Sequence, residues 1–212
     1  MTQTLHPPVS EALRQVDELL VRMFALVTEG LAAASEAFLA GDRDQARAVV
    51  AADQRIDDLQ HRVEQLVEQR LAAGGVPEPR EVRLLISMLR IAPELERSGD
   101  LIEHIALRTP QRLTDAISPR ARGLVAEMAA VAGTLWNGAA EAYVDRDADR
   151  VDALRRGDDV LDDLHVEFTA ELARGATSIA EAIELGLIAR FYERLGDHAV
   201  NVARRIGYLD HG

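Results

Sequence analysis

The segment Leu95-Glu96-Arg97-Ser98-Gly99-Asp100 returns 97 positions later as Tyr192-Glu193-Arg194-Leu195-Gly196-Asp197. An earlier part of the chain repeats in the same way, since residues 36–59 resemble residues 141–164 at an offset of 105 positions. The two offsets, 105 and 97, differ by eight positions, which a shorter loop before the last helix would explain. Repetition of this kind predicts two copies of one structural unit. We place the first unit at residues 1–110 and the second at residues 118–212.

Both units show the spacing of amphipathic helices. Apolar residues recur at steps of three and four over most of the chain, and strand-like alternation is absent. Capping residues and helix breakers divide the chain into six long helices. These run from Ser10 to Leu39, from Asp42 to Gly74-Gly75, from Pro77-Glu78-Pro79 to a stop before Thr109, onward from Ser118, from Asp147 to Gly175 and from Ser178 to Tyr208. Because short loops join long helices, the sequence predicts an all-α fold of two tandem, pseudo-symmetric, antiparallel three-helix bundles.

The composition excludes several classes of protein. The 212 residues carry 24 basic and 36 acidic side chains, a formal net charge of −12, and they include neither cysteine nor lysine. Without cysteine there are no thiolate zinc sites or iron–sulfur clusters. Without lysine there is no Walker-type phosphate loop and no Schiff-base chemistry. A chain this acidic is not expected to bind nucleic acid. With no signal peptide or membrane-spanning stretch evident, we expect a cytoplasmic protein.

The acids repeat along with the apolar pattern. Each half carries two pairs of acids spaced by four residues, and the four pairs are Asp53/Asp57, Glu96/Asp100, Asp158/Asp162 and Glu193/Asp197. A spacing of four puts both carboxylates on one face of a helix. One acid of each pair lies beside the apolar stripe; Asp53, for example, is about 40° around the helix from Val49. Carboxylates at such positions need a positive partner, because otherwise they protonate or destabilise the bundle.

A metal cation is the partner that fits these pairs best. Arg97 and Arg194 are angled away from the first acid of their motifs, although arginines from a neighbouring helix are a further source of positive charge. Carboxylate oxygens without cysteine suit magnesium, manganese or iron, and zinc when water completes its shell. Gly99 and Gly196 remove a side chain where an ion or another helix must approach closely. All eight paired acids are therefore candidate metal ligands.

Other interpretations of the same residues stay open. The acids could form a solvated face of a purely structural adaptor. An all-α nucleotide pyrophosphohydrolase would use magnesium on carboxylates, but it needs acids at mixed spacings and basic residues for the phosphates. Asp58-x-x-His61 and Asp162-x-x-His165 have the spacing of di-iron bundles but lack the matching glutamate helices. We interpret His104 and His198 as surface or boundary residues, and we assign Trp136, Tyr143 and Phe38 to packing.

The segment Glu193 to Ala203 resembles the PhoU family, regulators of phosphate uptake. The acid pairs Glu96/Asp100 and Glu193/Asp197 match the family's E(D)xxxD motifs, with the acids of the second and fifth helices as their counterparts. The resemblance covers nearly the whole chain. It implies two three-helix bundles that carry iron or zinc clusters, and a non-enzymatic, cytoplasmic repressor of phosphate uptake and of the phosphate-starvation response. The implied partners are the phosphate ABC transporter and a sensor histidine kinase, and a homodimer is also expected.

The chain departs from the family pattern mainly in its first half. Ser98 replaces the usual Ile, His104 stands where Asn is expected, and Pro93 precedes Glu96 by less than one turn. Proline inside a helix removes a hydrogen bond and clashes with the preceding turn, so we expect a kink at Pro93 and unequal metal binding at the two sites. Since Phe191 is the departure noted in the second half, we expect that half to lie nearer to the family pattern.

Overall fold

The computed structural model describes residues 10–73, 78–175 and 178–210, and within them it is helical without strands. The six helices are α1 (Glu11–Ala40), α2 (Arg43–Ala72), α3 (Pro79–Arg108), α4 (Pro119–Asp145), α5 (Val151–Arg174) and α6 (Ile179–Asp210). Short 3₁₀ turns at Thr109–Gln111, Leu113–Asp115 and Ala148–Arg150 lie in two of the connections. The predicted fold class is confirmed. α3 runs unbroken through Pro93.

The helix starts are determined by local capping. Ser10 and Ser118 accept hydrogen bonds from the backbone N–H groups of the third residue after them. Ser178 and Glu181 form a complete capping box, in which each side chain accepts from the other residue's backbone N–H. Asp42 caps α2 by accepting from the N–H groups of residues 44 and 45, at 3.0 Å each. The side chain of Gln45 donates to Glu36 instead of completing a box.

The predicted N-cap of α5, Asp147, is wrong by three residues, since the N-cap is Arg150. Asp147 caps the 3₁₀ turn at Ala148–Arg150, where its Oδ1 accepts from the backbone N–H of Asp149 at 3.0 Å and its Oδ2 accepts from Arg150 Nε at 3.0 Å. α5 follows at Val151. The stop predicted at Gly74-Gly75, together with Pro77, lies outside the described residues.

Helices α1, α2 and α3 pack on one another, and α4, α5 and α6 do the same. The two bundles then join along two contacts, α3 with α6 and α1 with α4. Phe24 of α1 stacks with Tyr143 at 5.0 Å between ring centroids and lies 6.3 Å from Trp136. Trp136, Tyr143 and Phe38 are buried, which confirms their predicted packing role. The Tyr143 hydroxyl donates to Asp17 Oδ1 at 2.7 Å and ties α4 to α1.

A second contact between the bundles is ionic. Glu94 of α3 is 5% exposed and meets His198 and Arg205 of α6. His198 Nδ1 lies 2.5 Å from Glu94 Oε2, and Arg205 donates to Glu94 Oε1 at 2.9 Å. His198 is 7% exposed, so its predicted surface or boundary position is wrong, whereas His104 is exposed as predicted. The buried acid explains the difference, because a histidine is stable in an apolar interface when a carboxylate binds it.

α1 is long and apolar enough, by length and composition alone, to cross a membrane. Its most apolar window has a mean hydropathy of 1.4, and 44% of that window is buried inside the protein. The buried residues of α1 face α2, α3 and α4. Packing in the centre of the two bundles therefore accounts for the apolar composition of this helix.

Candidate metal centres

The first candidate centre lies between α2 and α3. Asp53 and Asp57 of α2 meet Asp100 of α3, and one oxygen from each carboxylate lies within 4.8 Å of the other two. All three side chains are half-buried. Such a group of oxygens is close enough to bind one cation together. Glu96 lies at the same edge, since both Asp57 and Asp100 act on its carboxyl group.

Gly99 explains how α2 and α3 come so close. A Cβ atom at this position would lie 2.9 Å from Asp53 Oδ1 and 2.9 Å from Ile56 Cδ1. Gly196 plays the same part in the second half, where a Cβ would lie 2.8 Å from Leu161 Cδ2 and nearer still to Asp158 Oδ1. The glycine of each motif therefore makes room for the aspartate of the preceding helix, as the sequence predicts.

The second candidate centre lies between α5 and α6 and is more open. Asp162 and Asp197 are exposed, while Asp158 and Glu193 are half-buried. Asp158 Oδ1 and Glu193 Oε2 are shielded from solvent without a hydrogen-bond partner. Arg190 forms an ion pair with the other oxygen of Glu193. Within the described part of the chain, the oxygens of this second set do not converge as tightly as those of the first.

Burial and repulsion raise the pKa of some carboxyl groups at each centre. Burial, followed by repulsion from Glu103 and the neighbouring acids, raises the pKa of Asp53 to about 6. Burial, followed by repulsion from Asp197, raises the pKa of Asp158 to about 6. Burial is also the main cause of the raised pKa of Glu96, Asp162 and Glu193. Each centre is thus a half-buried concentration of negative charge, which a bound cation would stabilise.

The donor set fits a hard or borderline cation. Every candidate ligand is a carboxylate, and unpartnered oxygens lie at the second centre. The histidines of the acid-x-x-His pairs fit less well, since His61 Nδ1 lies 2.9 Å from the carbonyl oxygen of Asp57 on its own helix. Arg97 lies 3.7 Å from Glu94 and forms no ion pair with Glu96 in the described part of the chain, although its charge opposes the rise in the pKa of Glu96. Arg190 is the pairing arginine that the sequence analysis missed, because only its side-chain conformation reveals the contact.

Removing the charge of Asp53 is expected to stabilise the metal-free protein. The raised pKa means that stability from the protonated carboxyl is fully present below pH 4 and is lost as pH rises through about 6. Asp53→Asn should therefore raise the free energy of unfolding by about 1 kcal/mol at pH 7.5, after allowance for solvent screening, with no gain at pH 4. Urea unfolding in EDTA at both pH values measures this difference. Asp58→Asn is the exposed control on the same helix, and a destabilised Asp53→Asn protein would contradict the expectation.

Substituting Gly196 and Gly186 should change stability in opposite directions. Gly196→Ala forces the Asp158 carboxylate and Leu161 to move and should cost about 1–3 kcal/mol. Gly186→Ala, on the same helix, has no heavy atom within 4 Å of the new Cβ and should gain about 0.5–1 kcal/mol. Urea unfolding of both variants tests the pair. Equal effects of the two substitutions would show that Gly196 does not make room for Asp158.

Known proteins share both the sequence and the fold of this chain. The PhoU domain profile matches residues 20–109 and 125–206. A PhoU homologue of Mycobacterium tuberculosis, homolog 2, is 33% identical over 92% of this chain and 93% of its own length. The crystal structure of PhoU from Pseudomonas aeruginosa superposes with a TM-score of 0.86 at 26% identity, over 95% of this chain and 98% of that one. PhoU from Streptococcus pneumoniae has the same fold, with a TM-score of 0.83 at 21% identity over 93% and 94% of the two chains.

The names of these proteins also bear on the class of function. The mycobacterial homologue is called an accessory protein of a phosphate-specific transport system, and the streptococcal protein is called a regulatory protein of phosphate transport. PhoU proteins are thus named as accessory or regulatory proteins of phosphate transport and not as enzymes, which agrees with the prediction of a non-enzymatic protein. The duplicated three-helix unit, the repeated acid motifs and a profile match in both halves agree, and the chain belongs to the PhoU family.

Proposed function

We propose that this protein is a metal-binding, cytoplasmic regulator that lowers phosphate uptake through contacts with other proteins. Its partners are the phosphate ABC transporter and the sensor histidine kinase of the phosphate-starvation response, and it works as a homodimer. Membership of the PhoU family supports the link to phosphate transport. The membrane is reached only through these partners.

The observation that carries the metal-binding part is the duplicated acidic centre. At each one, carboxylates raised in pKa stand at a contact between two helices of the same bundle, and a glycine keeps that contact close. An acid pair on a solvated surface needs no such glycine. Asp53, Asp57, Glu96 and Asp100 would hold one ion or cluster, and Asp158, Asp162, Glu193 and Asp197 would hold the other. Iron or zinc is the proposed metal, and magnesium or manganese also suits the donors.

The bound cation would supply positive charge that the helices lack. With it, the carboxylates of α2 and α3, and those of α5 and α6, hold their helices together instead of repelling one another. The acidic edge then becomes an ordered surface on which a partner protein can dock. Metal occupancy could in this way decide whether the regulator engages the transporter and the kinase.

Elemental analysis of the purified protein tests metal binding. We expect bound metal in the wild-type chain and loss of metal from the second centre in the Glu193→Gln/Asp197→Asn double variant, with helicity retained in circular dichroism. Glu127→Gln/Glu141→Gln, two exposed acids of α4, is the charge-matched control. Unchanged metal content in the first double variant would remove these residues from the site. Wild-type protein without metal would leave a structural adaptor as the better description.

A complementation experiment tests the regulatory part. Deleting the gene should raise phosphate uptake at high external phosphate, and the wild-type copy should restore repression. A copy with all eight acids changed to amides should fold and fail to repress. Normal uptake in the deletion strain would contradict the proposal. Full repression by the variant with all eight acids changed would show that repression does not depend on metal binding by these residues.

A further inference from the structure

We infer that the two metal centres differ in affinity, and that the first centre, between α2 and α3, fills before the second. This inference rests on the proposed metal binding, and it identifies the residues of this chain that make one site bind metal more tightly than the other. It reverses the order that similarity to the family pattern suggests. Three pseudo-symmetric positions carry it, because at each one the two bundles have different residues.

The first difference is an arginine present at only one centre. Arg190 of α6 forms an ion pair with Glu193. The equivalent position in the first bundle, 97 residues earlier, is Pro93, which has no charge. In the described part of the chain no arginine forms an ion pair with Glu96. An arginine thus contacts an acid directly at the second centre, whereas at the first centre Arg97 acts on Glu96 only from a distance.

The second difference is an additional carboxylate. Glu103 lies one turn beyond Asp100, is half-buried and lines the same cavity as Asp53. Its counterpart in the second bundle is Val200, which is buried and apolar. Asp159, the extra acid of the second bundle, is exposed and replaces Gln54. Each bundle therefore has one added acid: Glu103 is half-buried beside the first centre, and the exposed Asp159 repels Asp158 and Asp162 at the second.

The third difference is space beside the first aspartate. A cavity of about 230 Å³ opens next to Asp53 and is lined also by Gly30, Gly99 and Glu103. The residue equivalent to Gly30 is Leu135, whose methyl groups pack against Gly157 and Gly196, beside Asp158. Arg55 also lines this cavity and forms no ion pair with these carboxylates within the described residues. The corresponding cavity of the second bundle, between α4 and α5, is larger, at about 550 Å³, and is lined by Leu135 but not by Asp158. The cavity of the first bundle therefore reaches its first aspartate, whereas that of the second bundle does not.

These differences act in the same direction. At the first centre three aspartate oxygens lie within 4.8 Å of one another, and the half-buried Glu103 lies beside a cavity that reaches Asp53. In the described part of the chain, no arginine forms an ion pair with Glu96. Sites with more carboxylates and less rearrangement on binding hold hard cations more tightly. At the second centre a cation must compete with Arg190 and must draw in two exposed side chains. We expect at least a 10-fold difference in dissociation constant.

Calorimetric titration of the EDTA-stripped full-length protein with Mn²⁺ tests the order. Asp162→Asn/Asp197→Asn should leave the tighter site, and the matched Asp57→Asn/Asp100→Asn should leave the weaker one. Adding Glu103→Val to the first variant should weaken binding at least threefold. Adding Arg190→Gln to the second should tighten binding at least threefold. Circular dichroism of each variant checks that it is folded. Replacing carboxylates that repel one another with carboxamides should not disturb the fold.

The outcomes separate this inference from the proposed function. Equal affinity at the two centres, or tighter binding at the second, overturns the ranking while metal binding stands. Failure of Arg190→Gln to tighten the second centre removes the arginine from the explanation. If the wild-type protein binds neither Mn²⁺ nor Zn²⁺, the metal-binding proposal and the ranking both fail.

Discussion

Glu94→Ala is expected to lower the free energy of unfolding by about 3–5 kcal/mol. The substitution leaves His198 and Arg205 in the interface between the bundles without the carboxylate that binds both. His198 Nε2 and Arg205 Nε are already buried without hydrogen-bond partners, so these side chains have no alternative partner nearby among the described residues. Urea unfolding followed by circular dichroism measures the loss.

The pH dependence of this effect runs opposite to that of Asp53. Burial disfavours the ionised Glu94, but hydrogen bonds from His198 and Arg205 outweigh burial and hold the pKa of Glu94 below its usual value. The stability it contributes is therefore present above pH 4.5 and is lost as pH falls through the lowered pKa. Arg97→Ala is the control, because Arg97 is exposed and its 3.7 Å contact with Glu94 should be worth less than about 1 kcal/mol. A Glu94→Ala loss as small as that of the control would show that the ionic contact does not hold the bundles together.

Trp136→Ala is expected to cost about 3–5 kcal/mol of unfolding free energy. Trp136 is 0% exposed and fills the contact between α1 and α4, beside Phe24. Alanine leaves a cavity that the aromatic rings of Phe24 and Tyr143 cannot fill without losing their own contact. Circular dichroism during urea unfolding is the suitable measurement, since the variant has no tryptophan for fluorescence.

Two further variants isolate the cause. Trp136→Phe keeps most of the ring volume and removes an indole N–H that is buried without a partner, so it should cost less than about 2 kcal/mol. Val166→Ala, on the exposed face of α5, should change stability by less than about 0.5 kcal/mol. Equal losses for the alanine and phenylalanine variants would mean that something other than cavity formation dominates.

Local signals in the sequence predicted most of the fold. Ser118 and Ser178 start their helices as predicted, because an N-cap needs only the residues of its own first turn. The prediction that Asp147 caps α5 was wrong for a related reason. Asp147 makes the predicted kind of hydrogen bond, but this bond closes a 3₁₀ turn. A capping pattern in the sequence does not distinguish such a turn from the start of an α-helix. Pro93 left α3 unbroken, since the surrounding bundle holds both sides of the helix in place.

The candidate centres were predictable only in part. The spacing of the acids and the position of Gly99 follow from helix geometry, so the residues of the first centre meet as expected. Glu94 was missed because its partners, His198 and Arg205, lie 104 and 111 residues further along the chain. Nothing within one helix indicates such a contact. The contact of Arg190 was missed for a different reason. Comparison of the two repeats shows that Arg190 takes the place of Pro93, but it does not show where the arginine side chain points.

The apolar character of α1 has a consequence during protein synthesis. α1 ends at Ala40, while α4, which covers its aromatic residue Phe24, begins at Pro119. At a translation rate of about 5–20 residues per second, the nascent helix waits roughly 4–16 s for this partner. Its uncovered side therefore invites chaperone binding or aggregation while the ribosome is still at work. Cutting the gene between the two repeats would make that exposure permanent.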